Sequence, residues 1–226
     1  MPLTVLAVAD EVSPLLYDHF DERRWSGIDC IISCGDLPPE YLDFLGTKLS
    51  VPVFYVRGNH DGAYPRSTFN VGQDLHGRIV EYKGVRIAGF EGCRRYNHGL
   101  CQYTESQMRR AVRRARLQAL WRGTPDLVVT HAPPSGFHDA EDPCHRGFDC
   151  FRQFIDVWKP SFLIHGHTHA YNGKQSVAVV SDTKIVNVFP YCTLEVGTEV
   201  LELEPTPSTA TEVRTSSVVR GTHTHA

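Results

Sequence analysis

The sequence predicts an α/β fold built around a largely parallel sheet. Short continuous apolar runs alternate with helical patterns, and the runs end in polar residues. Residues 3–9 (LTVLAVA), 28–34 (IDCIISC) and 51–56 (VPVFYV) are the first three such runs. Strands buried on both faces read this way, and strands alternating with helices imply βαβ units. The chain has 226 residues, enough to bury roughly 70–75% of its unfolded surface around one core.

Taken in order, residues 3–9 form a first core strand closing on Asp10, and residues 13–22 carry a helical pattern. The second run closes on Gly35-Asp36 and is followed by a helix at residues 39–45. The third closes on Arg57-Gly58-Asn59-His60-Asp61. Ligand sites of α/β folds lie at the carboxyl ends of strands, so these polar closures mark the edge to watch. Residues 78–82 and 85–89, joined by Lys83-Gly84, read as a hairpin. A loop over 91–103 leads to a helix opened by a capping box, Thr104 with Gln107. Met108, Ala111, Val112, Ala115 and Ala119 form its apolar face, and Arg109, Arg110, Arg113, Arg114 and Arg116 form a solvated one.

Residues 126–130 form a strand that delivers His131, and a long loop over 132–146 precedes a helix at 148–157. The strand at 161–164 closes on His165-Gly166-His167-Thr168-His169. Alternating segments at 177–180, 185–189 and 194–203 suggest an antiparallel ending. These elements make residues 1–204 a single domain. Residues 205–226, rich in Thr, Ser and Pro, read as a flexible polar tail.

The charge balance, 23 Lys and Arg against 26 Asp and Glu for a net −3, argues against stable nucleic-acid binding. No apolar run reaches the ~20 residues of a membrane span. The first residues lack the basic start and small-residue cleavage site of a signal peptide. The seven cysteines contain no C-x-x-C pair. A cytoplasmic protein is expected. Cys93, Cys101, Cys144 and Cys150 fall in polar, Gly-rich stretches whose spacing lacks finger-like pairs. Twelve histidines are the unusual item, because neutral imidazole is the commonest metal ligand.

Collected at the strand ends, Asp10, Asp36, Asn59, His60, His131, His167 and His169 offer carboxylate, amide and imidazole donors. Such a mixed O/N set suits Mn, Fe, Zn or Ni better than Ca or Mg. Each residue also has a plainer reading, helix capping for Asp10 and Asp36 and a turn histidine for His131. The order of all five segments together favours a metal centre.

Gly35-Asp36, Gly58-Asn59-His60-Asp61, Thr130-His131-Ala132-Pro133 and Gly166-His167-Thr168-His169 resemble four of the five signature blocks of the calcineurin-like metallophosphoesterases. The resemblance implies a four-layer αββα sandwich, with two mixed β-sheets flanked by helices and two divalent transition metals between strand-end loops. By matching position, Asp36 would bridge both metals. Asn59, His131 and His167 would complete one site, and Asp10 with His169 would hold the other. The family's first block, Asp-x-His, here reads Asp10-Glu11-Val12. Valine cannot ligate, so the first site is expected to be more weakly occupied.

The implied activity is hydrolysis of a phosphomonoester or phosphodiester by attack of a metal-activated water. His60 would assist the leaving group, and Asp61 would orient its imidazole. Arg94, Arg95 and Arg146 are candidate phosphate contacts, with Tyr96 or Phe148 stacking on a base. A small phosphate ester or nucleotide is the expected substrate, with no membrane partner. The alternative is a metal-binding interaction scaffold of the same fold with weak or no catalysis.

Overall fold

A computed structural model describes residues 2–63, 72–169 and 176–197. The proposed tail at 205–226 lies outside the described residues. The three initial runs become β1 (Leu3–Val8), β2 (Cys30–Ser33) and β3 (Val53–Tyr55), joined in parallel with β4 (Gly72–Asp74). β13 (Tyr191–Val196) returns antiparallel to β1 and completes a five-stranded sheet of order β13-β1-β2-β3-β4.

The second sheet has six strands. The expected hairpin is present as β5 (Arg78–Tyr82) and β6 (Val85–Phe90), closed by Lys83 and Gly84 at positive φ, the twist that suits a two-residue hairpin turn. A two-stranded pair, β7 (Cys93–Arg94) with β8 (Gln102–Tyr103), interrupts the expected loop. The helix after it spans Glu105–Arg122 as α2, and its Thr104–Gln107 capping box is formed. β9 (Leu127–Thr130), β10 (Phe162–His165), β11 (Val177–Val180) and β12 (Thr183–Asn187) complete the order β11-β12-β10-β9-β6-β5. Both sheets are mixed.

The apolar residues sort by strand parity, as period-two side chains must. Val5, Ala7, Ile32 and Val56 from the first sheet meet Ile87, Val129 and Ile164 from the second in a central core. On the outer face of the first sheet, Leu6, Val8 and Ile31 pack with Tyr41, Leu42 and Leu45 of α1 (Pro39–Leu49). On the outer face of the second, Val128, Leu163 and Ala88 pack with α2 and α3 (Asp149–Trp158). The result is a four-layer αββα sandwich.

One expected element is absent. Residues 13–22 form turns followed by a short 3-10 turn, Glu22–Trp25, with Asp21 accepting from the Arg23 N–H. Asp21 supplies a local cap after the periodic stretch, so the chain turns where the pattern suggested it would continue. Buried Leu16 and Trp25 still anchor the segment to the α1 layer.

Candidate metal centre

The carboxyl ends of β1, β2, β3, β9 and β10 bring Asp10, Asp36, Asn59, His131 and His167 to one edge of the sandwich. Three of these residues leave their strands in the left-handed region, Asp10 at φ 65°, Asp36 at 58° and His167 at 67°. That conformation costs about 1–2 kcal/mol for an L-residue. Local bonds hold it: the Asp10 N–H donates to Gly35 O, the Asp36 N–H to Asp61 Oδ2 and the His167 N–H to the Asp10 carboxylate. The strain points side chains inward at the sheet edge, as strained residues of functional sites do.

His131 is the hub. It is fully buried, and its Nδ1 lies 2.8 Å from the Cys34 carbonyl. A carbonyl only accepts, so Nδ1 carries the proton and Nε2 faces the site. Nε2 lies 3.0 Å from Asn59 Oδ1 and 3.2 Å from Asp36 Oδ2. The Asn59 amide is oriented by donating to the Tyr96 hydroxyl at 3.3 Å. His167 Nε2 lies 2.9 Å from the Cys144 carbonyl, which leaves Nδ1 as the lone-pair nitrogen. Single donor atoms of Asp36, His131 and His167 lie within 4.8 Å of one another. Gly58 makes room for this packing, because a Cβ there would sit 2.0 Å from Asp36 Oδ1 and 2.6 Å from His131 Cε1.

The electrostatics match a cation site. Burial pushes the His131 imidazole down, but the Asp36 charge and hydrogen bond overcome it and lift the group to about 9. Burial likewise pushes Asp36 up, and His131 with the His60 N–H pulls it below the usual carboxylate range. Asp10 is raised to about 6, chiefly by burial, with the Asp36 charge adding to the rise. His167, desolvated and beside His131, falls to about 3 and stays neutral. A divalent cation would replace the proton shared among His131, Asp36 and Asn59, so the residues present fit the metal that the donor set implies.

The other expected residues are placed as follows. His60 is exposed, and its backbone N–H donates to Asp36 Oδ1 at 2.7 Å. Asp61 is buried, and its Oδ2 accepts from the backbone N–H groups of Gly58 and Asp36, bracing the loop that carries His60. His169 stacks on Phe189 with ring centroids 4.7 Å apart. It lies close enough to Asp10 to act on that carboxyl, as Asp36 and His131 also do. Val12 is half-buried and packs against the apolar cluster under α1, and its side chain has no ligating atom.

Arg94 is ion-paired with Glu105 at 3.1 Å and lies over the Phe148 ring. Phe148 is itself buried and offers no face to a base, a correction to the stacking expected of it. Arg95 bonds Gln107 and the Gln102 carbonyl, while Arg146 is exposed. Sequence reasoning missed the two carbonyl props, Cys34 and Cys144, because backbone acceptors leave no side-chain signature.

Comparison with known proteins follows the same lines. The family model described as calcineurin-like phosphoesterase matches residues 15–171. No curated protein matches the sequence. Among solved structures, TT1561 of Thermus thermophilus is 17% identical with a TM-score of 0.63, covering 91% of this chain and 99% of its own. A novel archaeal phosphodiesterase is 12% identical with a TM-score of 0.51, covering 89% of this chain and 98% of its own. GAP50, the anchor in the inner membrane complex of Plasmodium, is 12% identical with a TM-score of 0.53, covering 86% of this chain and 81% of its own. At these identities the likeness is one of fold.

Proposed function

The chain belongs to the calcineurin-like phosphoesterase family, and on that footing we propose that it is a metal-dependent hydrolase of a small phosphomonoester or phosphodiester, a nucleotide among the candidates. The observation that carries this reading is the convergence of Asp36, Asn59 and His131 on one point, with His167 beside it. Two divalent transition cations, drawn from Mn, Fe, Zn and Ni, would supply Lewis-acid polarisation of the phosphoryl group and of the attacking water.

The protein's own groups do the rest. Asp36 would serve both cations, with Asn59, His131 and His167 holding one and Asp10 and His169 holding the other. His131 and His167 each keep one ring N–H on a backbone carbonyl, so neither imidazole can rotate out of line. His60 is exposed at the mouth and is assigned the leaving oxygen, to which its imidazole N–H donates. Asp61 holds the His60 loop in register through two backbone N–H groups. With Val12 offering no donor atom, the Asp10–His169 position would have fewer protein ligands and would be the weaker of the two. Arg146 is the arginine best placed in this reading to meet the substrate, because Arg94 and Arg95 are engaged by the loop scaffold.

Cys30, Cys34, Cys93, Cys144 and Cys150 are free thiols, which supports a cytoplasmic location, and no helix among the described residues is long and apolar enough to cross a membrane. Residues 1–204 are taken as the single catalytic unit. The test is hydrolysis of p-nitrophenyl and bis-p-nitrophenyl phosphate with each of the four metals, beside the metal content of the purified protein. His60→Ala should keep its metal and lose about tenfold or more in turnover. Unchanged turnover in that variant removes His60 from the chemistry. Absence of bound metal and of all hydrolysis in the parent protein favours the scaffold alternative.

A further inference from the structure

His167 also belongs to a second set of donor atoms, one that does not include Asp36. Cys93 Sγ, Cys144 Sγ and a ring nitrogen of His167 lie within 4.8 Å of one another. Cys93 is fully buried on β7, Cys144 is partly covered in the loop before α3, and both are free thiols. The Cys93 thiol donates to the Arg94 carbonyl at 3.3 Å, and Tyr96 and Cys93 both lie close enough to Cys144 to act on its thiol. Cys144 Sγ stands 3.9 Å from His167 Nε2. A tetrahedral zinc with Zn–S of about 2.3 Å and Zn–N of about 2.0 Å separates those two donors by about 3.6 Å. The observed spacing is that of a tetrahedral edge within a few tenths of an ångström.

We propose that Cys93, Cys144 and His167 form a thiolate site for a thiophilic divalent cation such as Zn²⁺, distinct from the Asp36–His131 position and sharing His167 with it. Soft sulfur donors select such cations, whereas the O/N set of Asp36, Asn59 and His131 also accepts manganese. Binding converts two thiols and one M²⁺ into a bis-thiolate complex and two released protons. It also takes the Nε2 lone pair, which requires the imidazole proton to leave the Cys144 carbonyl and move to Nδ1. A neutral imidazole has one lone pair, so His167 serves one cation at a time. Occupancy of the thiolate site therefore withdraws a ligand from the Asp36 position. Three protein ligands leave a fourth position open beside Tyr96.

The site stands on its own atoms whatever the substrate of the neighbouring centre. Cadmium titration of the reduced, metal-free full chain reads it directly through near-ultraviolet sulfur-to-metal charge transfer. One equivalent should develop the band in the parent protein and also in Asp36→Asn, which weakens the neighbouring position. Cys93→Ser with Cys144→Ser should abolish it, with the far-ultraviolet dichroism unchanged. No band in the reduced parent protein, loss of the band in Asp36→Asn, or a band that survives both serine substitutions overturns the proposal. Should the double variant not fold, X-ray absorption of zinc-loaded Asp36→Asn decides. Sulfur at about 2.3 Å supports the site, and a shell of nitrogen and oxygen alone refutes it.

Discussion

At the scale of the residue, His131 concentrates the chemistry of the site. Its folded-state pKa of about 9 lies above the ordinary histidine value of about 6.5. The stability it contributes to the metal-free protein is therefore complete below pH ~6.5 and is lost as pH rises towards 9. Asp36, shifted the other way, contributes above the usual carboxylate range and loses its share only in strong acid. Thermal melts of the chelated protein should fall between pH ~6.5 and 9, and His131→Asn should remove much of that slope. A cation must displace the His131 proton, so apparent affinity should rise about tenfold per pH unit over the same interval. Affinity independent of pH there would remove His131 from the ligand set. Val12 makes the opposite point. Its side chain packs in the α1 layer, so Val12→His should lower stability without raising the number of metals bound, as metal analysis of the variant would read.

At the scale of the element, the loop after β3 is held by a buried ion pair. Arg57 Nε lies 3.0 Å from Glu91 Oε2, and Glu91 is fully buried. Burial alone would raise the Glu91 carboxyl, but Arg57, His76 and Tyr103 hold it below its ordinary range. Arg57→Met removes the cationic partner of that buried carboxylate, leaving the Tyr103 hydroxyl and His76 beside it, and should cost about 3–5 kcal/mol in chemical denaturation. A loss under ~1 kcal/mol would show the loop to be held by other contacts. The strands and α2 were legible because each has a periodic signal: continuous apolar runs, a Lys-Gly hairpin turn, the Thr104–Gln107 box. The segment over 13–22 was not, because local Asp21 capping competes with its apolar pattern. Phe148 misled for a related reason. Its neighbours are polar, but the loop delivers it to the core beneath Arg94.

At the scale of the molecule, polar residues from positions 10 to 167 meet because two sheets present their carboxyl ends at one edge. The ordered polar closures made that meeting readable. The thiol pair was not readable, because Cys93 and Cys144 are far apart in sequence and meet only when β7 and the loop before α3 close over His167. The claim that unites these levels is that the shared edge is a hydrolytic metal centre with Asp36 at its middle. Turnover of bis-p-nitrophenyl phosphate by metal-reconstituted parent protein and Asp36→Asn, with bound metal counted in both, tests it most directly. The parent should bind metal and turn over, and the variant should lose about 100-fold or more in rate together with bound cation. A variant that keeps full activity and full metal, or a loaded parent that hydrolyses no phosphate ester, would contradict it.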